Sequence, residues 1–361
     1  MPKKPLRVVI VAPGPKSEGG IRSVVERIYP RLGEREDLRV TWLASQRAGS
    51  SLVKLLFFFR AVLQALYTIP RADVVHLHGA VHLSLLRKSV FIWLASLSGC
   101  RIVYHFHAPQ TVFEEFFATP GLKRCYALAT LRRCDAIAVL SDSWERTVRA
   151  VLPDARIVVI YNPVMEAQAV TAEPEEGSRD VLYLAHLIRR KGFDDLIKAF
   201  QKVVKAVPEA RLVFCGSGET DYAHELGKEL GITENLVFRG WIPETEIANQ
   251  LAAATVFCLP SYDEGLPMGI LEAMSSGVAI VTTPVGGVPD VLTHEANALL
   301  FEPGDIDSLG EQLVRMLTDD QLRDRLSAAA LADSVAFRPA KIAGEWATMY
   351  QSLAAQGNKE Q

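Results

Sequence analysis

Two glutamates, Glu264 and Glu272, stand with seven residues between them in SYDEGLPMGILEAMSSGVAIVTTPVGGVPDVL, residues 261 to 292. Glu264 closes an apolar run, TVFCLPSYDEG, that reads as a strand leading into a loop. Pro267 suits the opening turn of a helix, where its missing N–H is not needed. That helix runs through Met268, Ile270, Leu271, Glu272 and Met274 to a stop at Gly277. One carboxylate is thereby held in a loop at a helix mouth, and the other rides on the helix behind it. Between them lie free backbone N–H groups and the positive end of a helix dipole, an arrangement that accepts phosphate. Two hydroxyl acceptors flanking an anion cradle suit a nucleotide sugar.

Groups so placed need a rigid frame, and the sequence supplies one. Apolar strand-like runs alternate with amphipathic helical stretches: LRVVIVA, LRVTWLA, DVVHLH, CRIVYHF, DAIAVLS and ARIVVIY in the first half, then DVLYLA, ARLVFCG, NLVFRG, TVFCLP, VAIVTTP and ALLFEP in the second. Continuous β-branched runs joined by helix-length crossovers indicate α/β architecture with parallel sheets covered on both faces. Residues 193 to 207 show the helical pattern, with Phe193, Leu196, Ile197, Phe200, Val203, Val204 and Val207 opposite Lys198, Lys202 and Lys205. The rhythm lapses in MEAQAVTAEPEEGSRD, residues 165 to 180. The expected organisation is a Rossmann-like domain over 1–164, a linker over 165–178, a second such domain over 179–335, and a closing segment over 336–361. Its helix, carrying Ile342, Trp346, Met349, Tyr350 and Leu353, is expected to cross back to the first domain.

Composition narrows the function classes. A chain of 361 residues with 49% hydrophobic residues can bury two full cores. A net charge of −3 argues against nucleic acid as a partner. Cys100, Cys125, Cys134, Cys215 and Cys258 show no CxxC spacing, which speaks for a reduced, cytoplasmic setting without a zinc site. The start, MPKKPLRVVIVAPGP, lacks the long apolar core of a signal peptide. No uncharged segment reaches the roughly 18–20 residues that span a bilayer.

The sequence resembles the retaining glycosyltransferases of family four, which have the GT-B fold: two facing doubly wound Rossmann-like domains with a cleft between them. The resemblance covers nearly the whole chain and is strongest from about residue 180 to 305, where the spaced glutamates, the GLP after Glu264 and the run EAMSSGVAIVTTPVGG fit the family's signature. It implies that Glu264 holds the donor sugar's hydroxyls, helped by the backbone N–H groups of Gly265, Leu266 and Met268, and that Glu272 accepts from the ribose hydroxyls. Gly216 in CGSGE would let the backbone approach the nucleotide, and Ile242 in VFRGWIPE would meet the base through its backbone. Relatives carry an arginine, four residues, then Lys-Gly after the first strand of the second domain. In YLAHLIRRKGF, Lys191 and Gly192 match, but His186 stands where the arginine is expected. A neutral imidazole supplies one donor and no charge. His186 donates to the diphosphate, or Arg190 or Arg189 replaces the missing charge, or donor affinity is weaker.

In the first domain, Gly19 and Gly20 of PGPKSEGGIRSVV form a glycine-rich loop that relatives place at the reaction centre. His107 in HFHAPQ falls where relatives have a histidine facing the donor sugar. His105 reads as a buried strand residue, and His76 and His78 as residues lining the end of the sheet. The implied catalytic set is His107, Lys191 and Glu264. The implied substrates are a nucleoside diphosphate sugar and a saccharide or polyprenyl-linked acceptor, and no metal or cofactor is expected. The DID of residues 305 to 307 fits a helix N-cap at Asp305 better than a metal pair. A dehydrogenase is disfavoured by the absence of GxGxxG in the first loop. The alternatives that share the frame are a nucleotide-sugar epimerase or hydrolase and a non-catalytic nucleotide-sugar-binding regulator. Residues 51 to 67, SLVKLLFFFRAVLQALY, are more apolar than one buried helix face requires. With Lys54, Arg60 and nearby Arg47, and with Lys123, Arg124, Arg132 and Arg133 added by LKRCYALATLRRC further along, they suit peripheral contact with the inner face of the cytoplasmic membrane.

Overall fold

A computed structural model describes residues 4–15, 17, 19–164 and 178–357. The linker expected at 165–178 lies, apart from Ser178, outside the described residues. The chain divides into two compact units, Met1–Pro163 with Phe337–Gln361, and Val164–Ala336.

The first unit runs β1 (Leu6–Pro13), α1 (Gly20–Gly33), β2 (Leu38–Gln46), α2 (Ser51–Thr68), β3 (Val74–Gly79), α3 (Leu83–Leu97), β4 (Arg101–Phe106), α4 (Gln110–Ala118), α5 (Leu122–Leu131), β5 (Ala136–Val139), α6 (Asp142–Val151) and β6 (Ile157–Val159). Its sheet has the order β2-β1-β3-β4-β5-β6, with every pairing parallel. Alternate strand residues feed two cores, as the two-residue period of a strand requires. On one face Val9, Val11, Leu77 and Tyr104 meet Ala61, Phe91, Phe113 and Trp144 of α2, α3, α4 and α6. On the other, Val8, Ile10, Val103 and Ala138 meet Val25 and Ile28 of α1, together with the last helix of the chain.

The second unit runs β7 (Asp180–Leu184), α7 (Phe193–Ala206), β8 (Arg211–Cys215), α8 (Thr220–Glu229), β9 (Leu236–Gly240), α9 (Glu244–Ala253), β10 (Val256–Leu259), α10 (Met268–Ser275), β11 (Ala279–Thr282), β12 (Leu299–Leu300), α11 (Ile306–Thr318) and α12 (Asp320–Ser334). Its sheet has the order β12-β11-β10-β7-β8-β9, again all parallel. Asp305 caps α11, its carboxylate accepting from the Ser308 N–H at 3.0 Å. Pro267 stands one position earlier than its sequence suggested. It is the N-cap of α10, with an extended backbone, and Met268 is the first helical residue.

Helix α13 (Pro339–Gly357) returns to the first unit. Ile342, Trp346, Met349, Tyr350 and Leu353 recur on one helical face, and all are buried in that unit's core. The Trp346 ring lies 4.1 Å from that of His76, centroid to centroid, and the Tyr350 hydroxyl is 2.7 Å from His76 Nδ1. Replacing a fully buried tryptophan by alanine costs about 3–5 kcal/mol. Trp346→Ala is therefore expected to lower the unfolding free energy of the first unit by that amount, moving its urea midpoint down while leaving the transition of the second unit in place, as followed by circular dichroism and limited proteolysis.

Candidate functional site

In the second sheet β8 and β9 lie to one side of β7, and β10, β11 and β12 to the other. The order reverses between β7 and β10. Open α/β sheets bind ligands outside the carboxyl ends of the strands at such a reversal, because the loops diverge there and leave a crevice. The loops that follow β7 and β10 carry the residues singled out from the sequence.

Lys191 and Glu264 face each other directly. The ammonium Nζ donates to Glu264 Oε1, and the two side chains are 17% and 7% exposed. Ser261 Oγ donates to the same carboxylate oxygen at 2.7 Å. Arg190 donates to the Asp263 carbonyl at 2.5 Å and holds its guanidinium 4.0 Å from Glu264 Oε2. The Tyr262 N–H returns to the Arg190 carbonyl at 2.9 Å, so main chain and side chains both stitch the two loops together. Gly192 makes the turn possible. Its φ is +70°, and a Cβ there would sit 2.0 Å from the Pro260 carbonyl oxygen. Gly286 does the same on the far side, with φ +59° and a would-be Cβ 2.1 Å from the Glu264 carbonyl oxygen. Its neighbour Gly287 donates an N–H to the Gly265 carbonyl at 2.6 Å.

The three basic residues after β7 take separate directions. Arg189 turns away, pairing with Asp194 at 2.8 Å and lying 4.0 Å over the Tyr222 ring. Arg190 approaches Glu264, and Lys191 touches it. His186 is exposed, its Nδ1 3.3 Å from both the hydroxyl and the carbonyl oxygen of Ser217, and its carbonyl accepts from the Tyr183 hydroxyl at 2.9 Å. Gly216 follows β8, where a Cβ would meet the Ala185 carbonyl oxygen at 1.9 Å. Packing between the two strand ends thus demands glycine at that position. Leu266 is buried, Gly265 and Met268 are half-buried, and Ile242 is half-buried beside the exposed Trp241. Glu272 lies on α10 and is 4% exposed. The first N–H groups of α10, like those of any helix, have no carbonyl of their own turn to meet.

Gly19, Gly20 and His107 belong to the first unit. Gly19, with φ +110°, is the N-cap of α1, and Gly20 is that helix's first residue. His107 follows β4, its N–H on the Gly79 carbonyl at 2.8 Å and its Nε2 2.9 Å from His78 Nδ1. It is the outer member of a column of imidazoles. Ring centroids are 4.1 Å apart for His76 and His78, 5.1 Å for His78 and His107, and 4.0 Å for His105 and His107. His76 and His78 do not line the end of the sheet as their sequence suggested. They are fully buried with His105 between the strands and α13. His76 Nε2, His78 Nε2 and both ring nitrogens of His105 have no hydrogen-bond partner among the described residues. Nitrogens of His76, His78 and His105 lie within 4.8 Å of one another. A shared zinc ion, with bonds of about 2.0–2.1 Å, would need them roughly 3.4 Å apart. Neutral imidazole suits this core, and burial pushes all four rings below their ordinary range, His107 to about 3.

A family model described as "Glycosyl transferases group 1" matches residues 165–333, and one described as "Glycosyltransferase Family 4" matches residues 1–167. The chain belongs to glycosyltransferase family 4. An uncharacterized glycosyltransferase of Haemophilus influenzae is 30% identical over 59% of this chain and 60% of its own length. A GDP-mannose-dependent monoacylated phosphatidylinositol monomannoside mannosyltransferase of Corynebacterium glutamicum is 35% identical over 45% of this chain and 44% of its own. The chain thus spans about half of these relatives' lengths. The solved structure of Anabaena HepE in complex with UDP and glucose superposes with a TM-score of 0.74 at 18% identity, covering 96% of this chain and all of that one. The fold is GT-B, built from two Rossmann-like units.

Several residues that shape this family-4 site went unassigned in the sequence. Ser261 lies three residues before Glu264 and braces it. Thr283 donates to the Ser261 carbonyl at 2.5 Å. Gly286 and Gly287 lay in the PVGG run that carried the resemblance, and paired glycines there were the available signal. Nothing in the sequence tied Tyr350 to His76.

The imidazole column sets a pH dependence. Each fully buried ring stays neutral in the folded state, whereas the unfolded chain protonates it near pH 6.5. Below that value the unfolded state binds protons that the native state refuses, so stability is complete above about pH 7.5 and is lost as pH falls through about 6.5. The loss approaches about 1.4 kcal/mol per ring per pH unit. Urea unfolding of the first unit at pH 7.5, 6.5 and 5.5 is expected to show that steepening fall, and a flat profile would contradict it.

Proposed function

We propose that this protein is a retaining glycosyltransferase. It moves a hexose from a uridine or guanosine diphosphate sugar to a saccharide or lipid-linked saccharide in the synthesis of cell-surface polysaccharide or glycolipid. The observation that carries the reading is the Lys191–Glu264 pair at the order reversal of the second sheet. A carboxylate held by an ammonium and a hydroxyl is fixed in place, and its second oxygen offers lone pairs for sugar hydroxyls. An arriving diphosphate gives Lys191 a second anion to serve, with Arg190 beside it and the mouth of α10 adding its dipole. These groups are aimed where negative charge grows as the bond from the anomeric carbon to the diphosphate oxygen breaks. The acceptor hydroxyl forms the new bond on the same face and gives its proton to the departing diphosphate, so no protein nucleophile is required. Lys191, Arg190 and the helix mouth supply the charge that a metal ion would otherwise bring. The part of His107 in this chemistry rests on the resemblance of its position. The mannosyltransferase of Corynebacterium glutamicum, whose name gives a phosphatidylinositol acceptor, supports a lipid-linked acceptor and work at the inner face of the cytoplasmic membrane.

The test begins with a screen of nucleoside diphosphate sugars by thermal shift, followed by an assay of released nucleotide with saccharide and lipid-linked acceptors. Turnover is expected to require the acceptor, which separates transfer from hydrolysis or epimerisation. It should persist in EDTA and retain the anomeric configuration by NMR. Glu264→Gln and Lys191→Met are each expected to lower turnover by about a hundredfold or more, the scale of losing one charge-stabilising group. Near-normal turnover in either folded variant refutes the assignment.

A further inference from the structure

We propose that Tyr350 fixes the proton of His107 on Nδ1, acting through His76, a buried water and His78. Proton counting along the column gives the direction of every link. Tyr350 lies on α13, fully buried, and its hydroxyl has one partner among the described residues, His76 Nδ1 at 2.7 Å. A phenol has a single proton to place, and with no other acceptor among those residues it donates to that nitrogen. His76, held neutral by burial, therefore keeps its own proton on Nε2. That N–H meets no acceptor among the described residues, and His78 Nε2 and both nitrogens of His105 are equally unpartnered.

One nitrogen from each of His76, His78 and His105 lies within 4.8 Å of the other two. A water with hydrogen bonds of about 2.9 Å in tetrahedral directions bridges partners about 4.7 Å apart. The cluster therefore has the spacing and the three polar neighbours that hold an internal water. A water there meets the His76 Nε2–H, His78 Nε2 and a nitrogen of His105. It accepts from His76, and the count of stranded protons decides its relation to His78. With His78 Nε2 accepting, a single buried proton lacks a partner, on His105 or on the water. With it donating, a water proton is stranded together with a second, on His105 or again on the water. Stranded buried donors are costly, so His78 accepts and carries its own proton on Nδ1. That nitrogen stands 2.9 Å from His107 Nε2, and donation across the contact leaves the His107 proton on Nδ1. His107 is half-buried, unlike the other three rings. Its Nδ1 is thereby a donor for a ligand oxygen and cannot serve as a base. Tyr350, His76 and His78 act as positioning residues, and only their effect on turnover rests on the proposed transferase reading.

Neutron diffraction from perdeuterated crystals of the full chain reads both the protons and the water. Deuterons on Nδ1 of His78 and of His107 are expected, with a water among the three inner rings. A deuteron on His107 Nε2, a metal ion among the rings, or no atom there would overturn the proposal. Long-range proton–nitrogen correlation spectra of histidine-labelled protein report the same tautomers in solution. Tyr350→Phe keeps the ring and removes the proton that orients the line, so the His107 signals of that variant are expected to divide between two tautomers. An unchanged Nδ1–H species would show that Tyr350 does not set it. In the assay of released nucleotide, His78→Leu is expected to lower kcat by about tenfold or more, the scale of misaiming one donor, with little change in KM. His78→Asn, whose amide can donate where Nδ1 did, should recover most of that loss. Wild-type kcat in His78→Leu, or no recovery in a folded His78→Asn, would deny the positioning role. Neither diffraction nor spectroscopy needs turnover, so the proton line and the transferase reading fail separately.

Discussion

The second unit is organised around a single ion pair. Two loops leave neighbouring parallel strands at the point where the order of the sheet reverses, and nothing in the ladder of either strand holds them together. Lys191 and Glu264 do so, with Ser261, Arg190 and two backbone contacts closing the remaining valences. The arrangement is expensive to build, because each charge leaves most of its water behind and regains it only through good geometry. It is also specific: Gly192 and Gly286 sit where any side chain would strike a carbonyl oxygen, so the backbone has no latitude around the carboxylate. A group held this firmly needs no rearrangement to present its remaining lone pairs.

The first unit solves a different problem. Its central strands carry histidines where a parallel sheet ordinarily carries valine or isoleucine. Stacking four imidazoles and closing them with Trp346 recovers much of the packing of an apolar core, and the Tyr350 hydroxyl satisfies one nitrogen. Several others have no partner among the described residues, a cost of roughly 1–3 kcal/mol each if they stay dry.

Legibility followed sequence distance. Apolar runs mark the twelve strands of the described residues, most of them rich in β-branched residues because burial on both faces leaves a continuous apolar signature. The loops at the reversal were legible because their contents are local: Glu264, its glycine and the helix behind it fall within a dozen residues, and Lys191-Gly192 within a single dipeptide. The partnership between them spans 73 positions and has no local mark. The sequence offered Arg190, and less strongly Arg189, as the replacement cation. The fold shows why they part: Asp194 and Tyr222 draw Arg189 away while the Asp263 carbonyl draws Arg190 in. The misplacement of His76 and His78 has the same origin. Their alternation fixed which face of the strand they occupy, but the helix that covers that face enters some 270 residues later.

The return of α13 to the first unit bears on how the chain is made. The second unit, Val164–Ala336, is an insertion within the first. At about 5–20 residues per second, its roughly 170 residues occupy the ribosome for something on the order of 10–30 seconds. Through that interval the first sheet has one face without its tryptophan and tyrosine, and its histidines meet water. Of the two units, the one begun first is the last to be finished, and the inserted one can complete its fold before it.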